Sequence, residues 1–131
     1  MALASSAPVI YVVDDDTDVL GSLRFLLETD GFTVHTFRSG AAVLNGHGTG
    51  DADCFVIDYK MPSMSGIDLA GRLQSRHAGT PIILITGYPD NSIRDRAAAA
   101  GIRDVLLKPH LEDSLIGRIR GALQHSRPAG H

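Results

Sequence analysis

Five residues of this chain unite suitable types with suitable places for chemistry: Asp14, Asp15, Asp58, Thr86 and Lys108. Each closes a short apolar run. Asp14 and Asp15 follow VIYVV (9–13), Asp58 follows CFVI (54–57), Thr86 follows IILI (82–85) and Lys108 follows VLL (105–107). Three carboxylates gathered in a partly dry crevice repel one another, and without compensation at least one takes up a proton. A cation relieves that strain, and oxygen-only ligands in a shallow open site favour Mg²⁺, which keeps several waters and draws on phosphate oxygens. With the charge balanced a phosphoryl group can approach. An aspartate can then act as a covalent nucleophile toward phosphorus, with the Lys108 ammonium and the Thr86 hydroxyl available to hold the transferred oxygens. The chemistry within reach is phosphoryl transfer to a carboxylate.

That chemistry requires the five side chains to converge, and the intervening sequence says how. The apolar runs are continuous rather than alternating, as befits strands buried on both faces of a parallel sheet covered by helices. TVHTF (33–37) is weaker and more polar and belongs at an edge. Between the runs lie stretches with helical spacing: Val19, Leu23 and Leu27 in the first, with Gly31 as a C-cap, and Leu111, Leu115, Ile119 and Leu123 in the last. Ser39 and Ser65 mark helix starts, Asn91 or Ser92 caps the alanine-rich fourth helix, and Asp15, Asp16 or Thr17 caps the first. Parallel strands need crossover connections, and right-handed ones dominate, so the predicted architecture is a doubly wound α/β fold. Its five parallel strands have helices on both faces. In such sheets ligands bind beyond the carboxyl ends of the strands, where strand order reverses.

With 131 residues, one domain is expected, spanning 8–125 with tails at 1–7 and 126–131. Apolar residues at 44% and charged residues at 21% are ordinary globular usage rather than that of a disordered chain. A net charge of −3 with no basic stripe argues against direct nucleic-acid binding by this segment. The lone cysteine, Cys54, sits in an apolar run and reads as a buried structural thiol. There is no signal-peptide pattern and no membrane-length apolar stretch, so a cytoplasmic location is expected.

The residues resemble one family closely. VVDDD (12–16), VIDYKMPSMSG (56–66), ITGYPD (85–90) and LLKP (106–109) are similar, in order and spacing, to the signatures of response-regulator receiver domains of bacterial two-component systems. The resemblance covers about residues 8–124. It implies a flavodoxin-like sheet of strand order 2-1-3-4-5 and a phosphorylation-dependent switch, not an enzyme acting on a separate substrate. Asp58 would be phosphorylated by a histidine kinase or phosphotransfer partner. Mg²⁺ would be held by Asp14, Asp15, Asp58 and the carbonyl of Lys60, with Thr86 and Lys108 on the phosphoryl group. It further implies that Pro62 and Gly66 shape the loop after Asp58, that Lys108-Pro109 is a cis peptide, and that Thr86 moves on activation. The face of the fourth helix, fifth strand and fifth helix would then meet an output domain, a protein target or a second copy, leaving a monomer or a phosphorylation-promoted homodimer. Where the family usually has Tyr or Phe, this chain has Val105, which puts the aromatic part of that switch in doubt. Lys60 and Tyr88 flank the crevice mouth and are candidates for controlling water access.

Two other readings compete. A phosphatase of the haloacid-dehalogenase type would use Asp14 as nucleophile and Asp16 after it, but Asp18 fails the next place in that pattern. A receiver-like binding module that is never phosphorylated is favoured by Val105 and disfavoured by the intact acids, Thr86 and Lys108.

Overall fold

The computed structural model describes residues 7–45, 52–87, 90–108 and 112–126. The apolar runs form β1 (Val9–Val13), β2 (Thr33–Phe37), β3 (Cys54–Asp58), β4 (Ile82–Thr86) and β5 (Asp104–Leu107). They alternate with α1 (Thr17–Thr29), α2 (Gly40–Asn45), α3 (Gly66–Arg76), α4 (Asn91–Ala99) and α5 (Glu112–Ser126). All pairings are parallel and the order is β2-β1-β3-β4-β5, so strand order reverses beside β1, as expected. The polar strand β2 lies at one edge and β5 at the other.

The continuity of the apolar runs has a direct cause: β3 and β4 are buried at every position. Successive side chains of a strand point to opposite faces, so each run feeds two cores. Tyr11, Val13, Phe55, Ile57, Ile82 and Leu84 pack with Val43 of α2, Leu69 and Leu73 of α3, and Ile93 and Ala97 of α4. Ile10, Val12, Cys54, Val56, Ile83 and Ile85 pack with Leu20, Leu23 and Leu27 of α1 and with Leu115 and Ile119 of α5. Cys54 is fully buried, and burial pushes its thiol up to about 12.

The helix faces differ slightly from the sequence expectation. Val19 and Leu123 are only half-buried, and Leu20 and Ala122 take the inner positions. A strict four-residue stripe drifts around a helix of 3.6 residues per turn, so mixed spacings such as Leu20, Leu23, Leu27 and Leu115, Ile119, Ala122 stay on one side. Leu111 lies outside the described residues.

Helix ends follow polar side chains. Asp16 caps α1, accepting from the N–H groups of Asp18 at 2.9 Å and Val19 at 3.4 Å, and Gly31 leaves the helix at φ 97°. Ser39 accepts from Ala42 N–H at 3.0 Å and Ser65 from Asp68 N–H at 3.2 Å. The α4 cap is Asp90, not Asn91 or Ser92. Its backbone is extended and its carboxylate accepts the N–H of Ser92 at 2.9 Å, which makes Ser92 a first-turn donor.

Candidate functional site

The parallel ladder continues past the strand ends and carries the polar side chains to one rim. Asp14 N–H donates to the Phe37 carbonyl at 3.0 Å, Tyr59 N–H to Ile85 at 2.8 Å, and Lys108 N–H to Thr86 at 2.9 Å. In register, Asp58 stands opposite Ile85 and Thr86 opposite Leu107. A crevice of about 440 Å³ opens there, and all five residues singled out at the strand ends line it. Asp16, Lys60 and Gly87 line it as well.

Among the described residues the buried polar or charged side chains are Asp14, Asp58 and Thr86, at 2%, 7% and 2% exposure, and all three belong to this crevice. Asp15 is exposed at its mouth. Asp14, Asp15 and Asp58 each present a carboxylate oxygen within 4.8 Å of the others. Lys108 Nζ sits 2.9 Å from Asp58 Oδ1 and 3.8 Å from Asp14 Oδ2.

Burial dominates the electrostatics. It pushes the Asp14 carboxyl up to about 6; the N–H of Asp16, donated at 2.9 Å, opposes this, while the charge of Asp58 adds to it. Asp58 is raised as well, chiefly by burial, against the pull of the Lys108 ammonium and the Lys60 N–H. Burial works to lower the Lys108 ammonium, but the hydrogen bond and charge of Asp58 outweigh it and hold the group above its ordinary range. One ammonium against three carboxylates leaves two negative charges unbalanced. A hard divalent cation suits that oxygen-only set, so the cluster can hold a metal ion.

The loop after Asp58 is built around one contact. A Cβ on Gly66 would run into the Asp58 carbonyl oxygen and come within 2.7 Å of Leu84 Cδ1. The Gly66 N–H donates to the Tyr59 carbonyl at 2.8 Å. Between them Pro62 accepts the N–H of Met64 at 2.7 Å, and Ser63 adopts φ 70°. Met61 and Met64 pack against the α2–α4 core, consistent with loop packing.

A family model described as the response regulator receiver domain matches residues 10–120. The chain belongs to that family. As a receiver domain it is 37% identical over 122 residues to the response regulator protein TodT of Pseudomonas putida, covering 93% of this chain and 54% of that protein. It is 36% identical to the transcriptional regulatory protein FixJ of Bradyrhizobium diazoefficiens, covering 92% of this chain and 58% of FixJ. The receiver domain thus spans a little over half the length of these relatives. Among solved structures it is similar to a receiver domain protein from Clostridium thermocellum, with TM-score 0.84, 28% identity and coverage of 90% and 95% of the two chains. A CheY-like receiver domain protein from Methanospirillum hungatei gives TM-score 0.86, 26% identity and coverage of 92% and 97%.

Val105 of the receiver domain is half-buried on β5, with its side chain against the α2–α4 core. Tyr88 and Pro109 lie outside the described residues. Sequence reasoning missed Asp16 and Gly87 as lining residues, although both directly adjoin residues it had chosen. It also missed the arginine that joins the loop after Asp58 to α4: Arg96 stands 5.9 Å from the Tyr59 ring centre, and its Nη1 donates to the Tyr59 hydroxyl at 3.4 Å. No local pattern announces a contact between residues so far apart in sequence. Among the described residues no helix is long and apolar enough to cross a membrane.

Proposed function

We propose that Asp58 is the phosphoacceptor of a two-component signalling switch. The observation that carries this reading is the placement of the Asp58 carboxylate within 2.9 Å of Lys108 Nζ and beside Asp14 and Asp15 at the rim of the sheet. A carboxylate oxygen of Asp58 attacks phosphorus, the bond from phosphorus to the donor's histidine nitrogen breaks, and an acyl phosphate results. The donor is a sensor histidine kinase or a phosphotransfer protein. Lys108 and the Thr86 hydroxyl hold the phosphoryl oxygens, and the domain thereby promotes its own phosphorylation and later hydrolysis. Asp14, Asp15, Asp58 and the carbonyl of Lys60 are the ligand set for Mg²⁺. The bound ion supplies charge balance among the carboxylates and the incoming phosphoryl oxygens.

The receiver unit is 8–125 and acts in the cytoplasm. Pro62, Gly66 and Pro109 fix the loops that aim Asp58 and Lys108. Phosphorylation shifts the population of two states through Thr86 and Val105, and the α4-β5-α5 face passes the change to an output domain, a protein target or a second copy. Lys60 and Tyr88 govern water access to the acyl phosphate. The relatives' greater length supports an output carried by a longer regulator, and a stand-alone receiver is the alternative.

Intact-mass spectrometry with acetyl phosphate and Mg²⁺ tests the proposal. A single phosphoryl adduct is expected, lost in Asp58→Asn. An adduct that survives Asp58→Asn and vanishes in Asp14→Asn would favour the phosphatase-type reading. Absence of any adduct, with no metal binding in a magnesium titration, would favour a binding module.

A further inference from the structure

The side chain next to Asp58 reaches a helix that contributes nothing to the described lining of the crevice. Tyr59 has its backbone held on both sides: its N–H donates to the Ile85 carbonyl at 2.8 Å, and its carbonyl accepts the Gly66 N–H at 2.8 Å. Its ring is half-buried and packs against the α2–α4 core. Arg96, in the last turn of α4, lays its guanidinium 5.9 Å from the ring centre and donates from Nη1 to the Tyr59 hydroxyl at 3.4 Å. Among the described residues Arg96 makes no ion pair. It also stands apart from the groove of about 580 Å³ over β5, between α4 and α5, which Arg94 and Ala97 line from the same helix. Its one described side-chain partner is therefore Tyr59.

We propose that Tyr59 and Arg96 are a positioning pair that couples the crevice to α4. Arg96 steadies the backbone of residues 58–60 in the arrangement that a divalent cation and a phosphoryl group need, and filling the crevice steadies α4 in return. The proposal rests on the reading of the crevice given above and adds a residue outside it that sets how well it binds. Asp58 and the Lys60 carbonyl, both assigned to the metal, flank Tyr59 in sequence, so a shift of that segment moves two ligands at once. On the other side, α4 buries only Ile93 and Ala97 while α3 buries five residues, so one surface contact is an appreciable part of what seats α4. Coupling between two sites is reciprocal in binding free energy, so an effect of Arg96 on the crevice requires an effect of the crevice on α4. A cation over a ring at an exposed site changes such an equilibrium by about threefold. The sign separates positioning from bulk charge: removing a positive charge would by itself favour a cation in the acidic crevice, whereas losing the fixed backbone disfavours it.

Magnesium titration of the whole chain by NMR, for Arg96→Gln, Tyr59→Leu and the double variant, tests this. Each single substitution should weaken magnesium binding about threefold, and the double variant should be no weaker than either, because both remove one interaction. With Mg²⁺ and acetyl phosphate present, hydrogen exchange in the last turn of α4 should slow in the unsubstituted chain and not in the variants. Thermal unfolding checks that each variant folds, and Tyr59→Phe, which keeps the ring and removes the hydroxyl, replaces Tyr59→Leu if that one does not, with a smaller loss in the same direction. Tighter magnesium binding by Arg96→Gln would reduce the arginine to a background charge, and additive losses would make the two residues independent. Unchanged affinity, or an α4 that slows equally in the variants, would leave the pair a surface contact. Each of these results overturns the proposal. The reading of the crevice fails elsewhere: an unsubstituted chain that takes neither metal nor phosphoryl adduct overturns both, whereas metal and adduct there with indifferent variants overturn this proposal alone.

Discussion

The crevice at the strand ends and the groove over β5 share Lys108 as a lining residue and otherwise differ in almost every physical respect. In the crevice, charge is forced into buried positions and compensated by specific neighbours: Asp58 by Lys108, Asp14 by the Asp16 N–H, and the loop by the close approach of Gly66 to Asp58. In the groove, Ala97, Val105 and Leu107 lie under exposed arginines, and the ion pairs are long and solvent-screened, each worth about 0–1 kcal/mol. The crevice holds like charges close together at largely buried positions. The groove leaves its arginines exposed, with one described carboxylate among its lining residues. Val105 lines the groove and not the crevice.

The contrast breaks most visibly at Gly66. Helix propensity alone says that Ala at the start of α3 should stabilise by up to about 1 kcal/mol. The clash with the Asp58 backbone reverses the sign, because backbone cannot swing aside as a flexible side chain can. Gly66→Ala should cost about 3 kcal/mol in urea unfolding and slow phosphorylation by acetyl phosphate. A neutral or stabilised variant would mean that the loop is as yielding as the groove.

Asp14 sharpens the comparison with an effect of about 3 kcal/mol. Its folded-state value, about 6, exceeds the unfolded value near 3.8, so between these pH values the folded chain binds more protons and stability falls as pH rises. Above about pH 6 the penalty is fully present. Asp14→Asn removes it, so with a chelator present the variant should be the more stable protein by about 3 kcal/mol at pH 7, with the gain fading toward pH 4. Thermal unfolding across that range checks the sign, and a gain that grows on acidification would contradict it.

The smallest effect is expected on the groove side. Asp90→Ala should cost about 1 kcal/mol by removing the α4 cap. Hydrogen exchange should quicken in the first turn of α4 while amides of β1 and β3 keep their protection, since frayed ends open without global unfolding. Equal acceleration in both places would tie the two regions into one cooperative unit.

Much of the fold was legible because burial on both faces writes itself as continuous apolar runs, and the crevice was legible because Asp14, Asp58, Thr86 and Lys108 each interrupt such a run at its end. The cap at Asp90 was not, since Asp90, Asn91 and Ser92 are all good capping types and only the extended backbone at Asp90 decides between them. The groove was illegible for a different reason: Arg94 and Arg118 belong to helices that the fold, not the sequence, brings together. The same holds for Arg120 of α5, which stacks 5.0 Å from the Phe32 ring centre and bonds the Asp30 carboxylate and carbonyl. Separations of 88 to 90 residues leave no periodic trace.

The burial of Cys54 makes the protein convenient to instrument. With the native thiol sealed inside the sheet and held overwhelmingly protonated at neutral pH, a maleimide dye would ignore it. A cysteine placed on α4 would be labelled selectively without any background mutation, so a fluorophore could report from that helix while the crevice retains every native side chain.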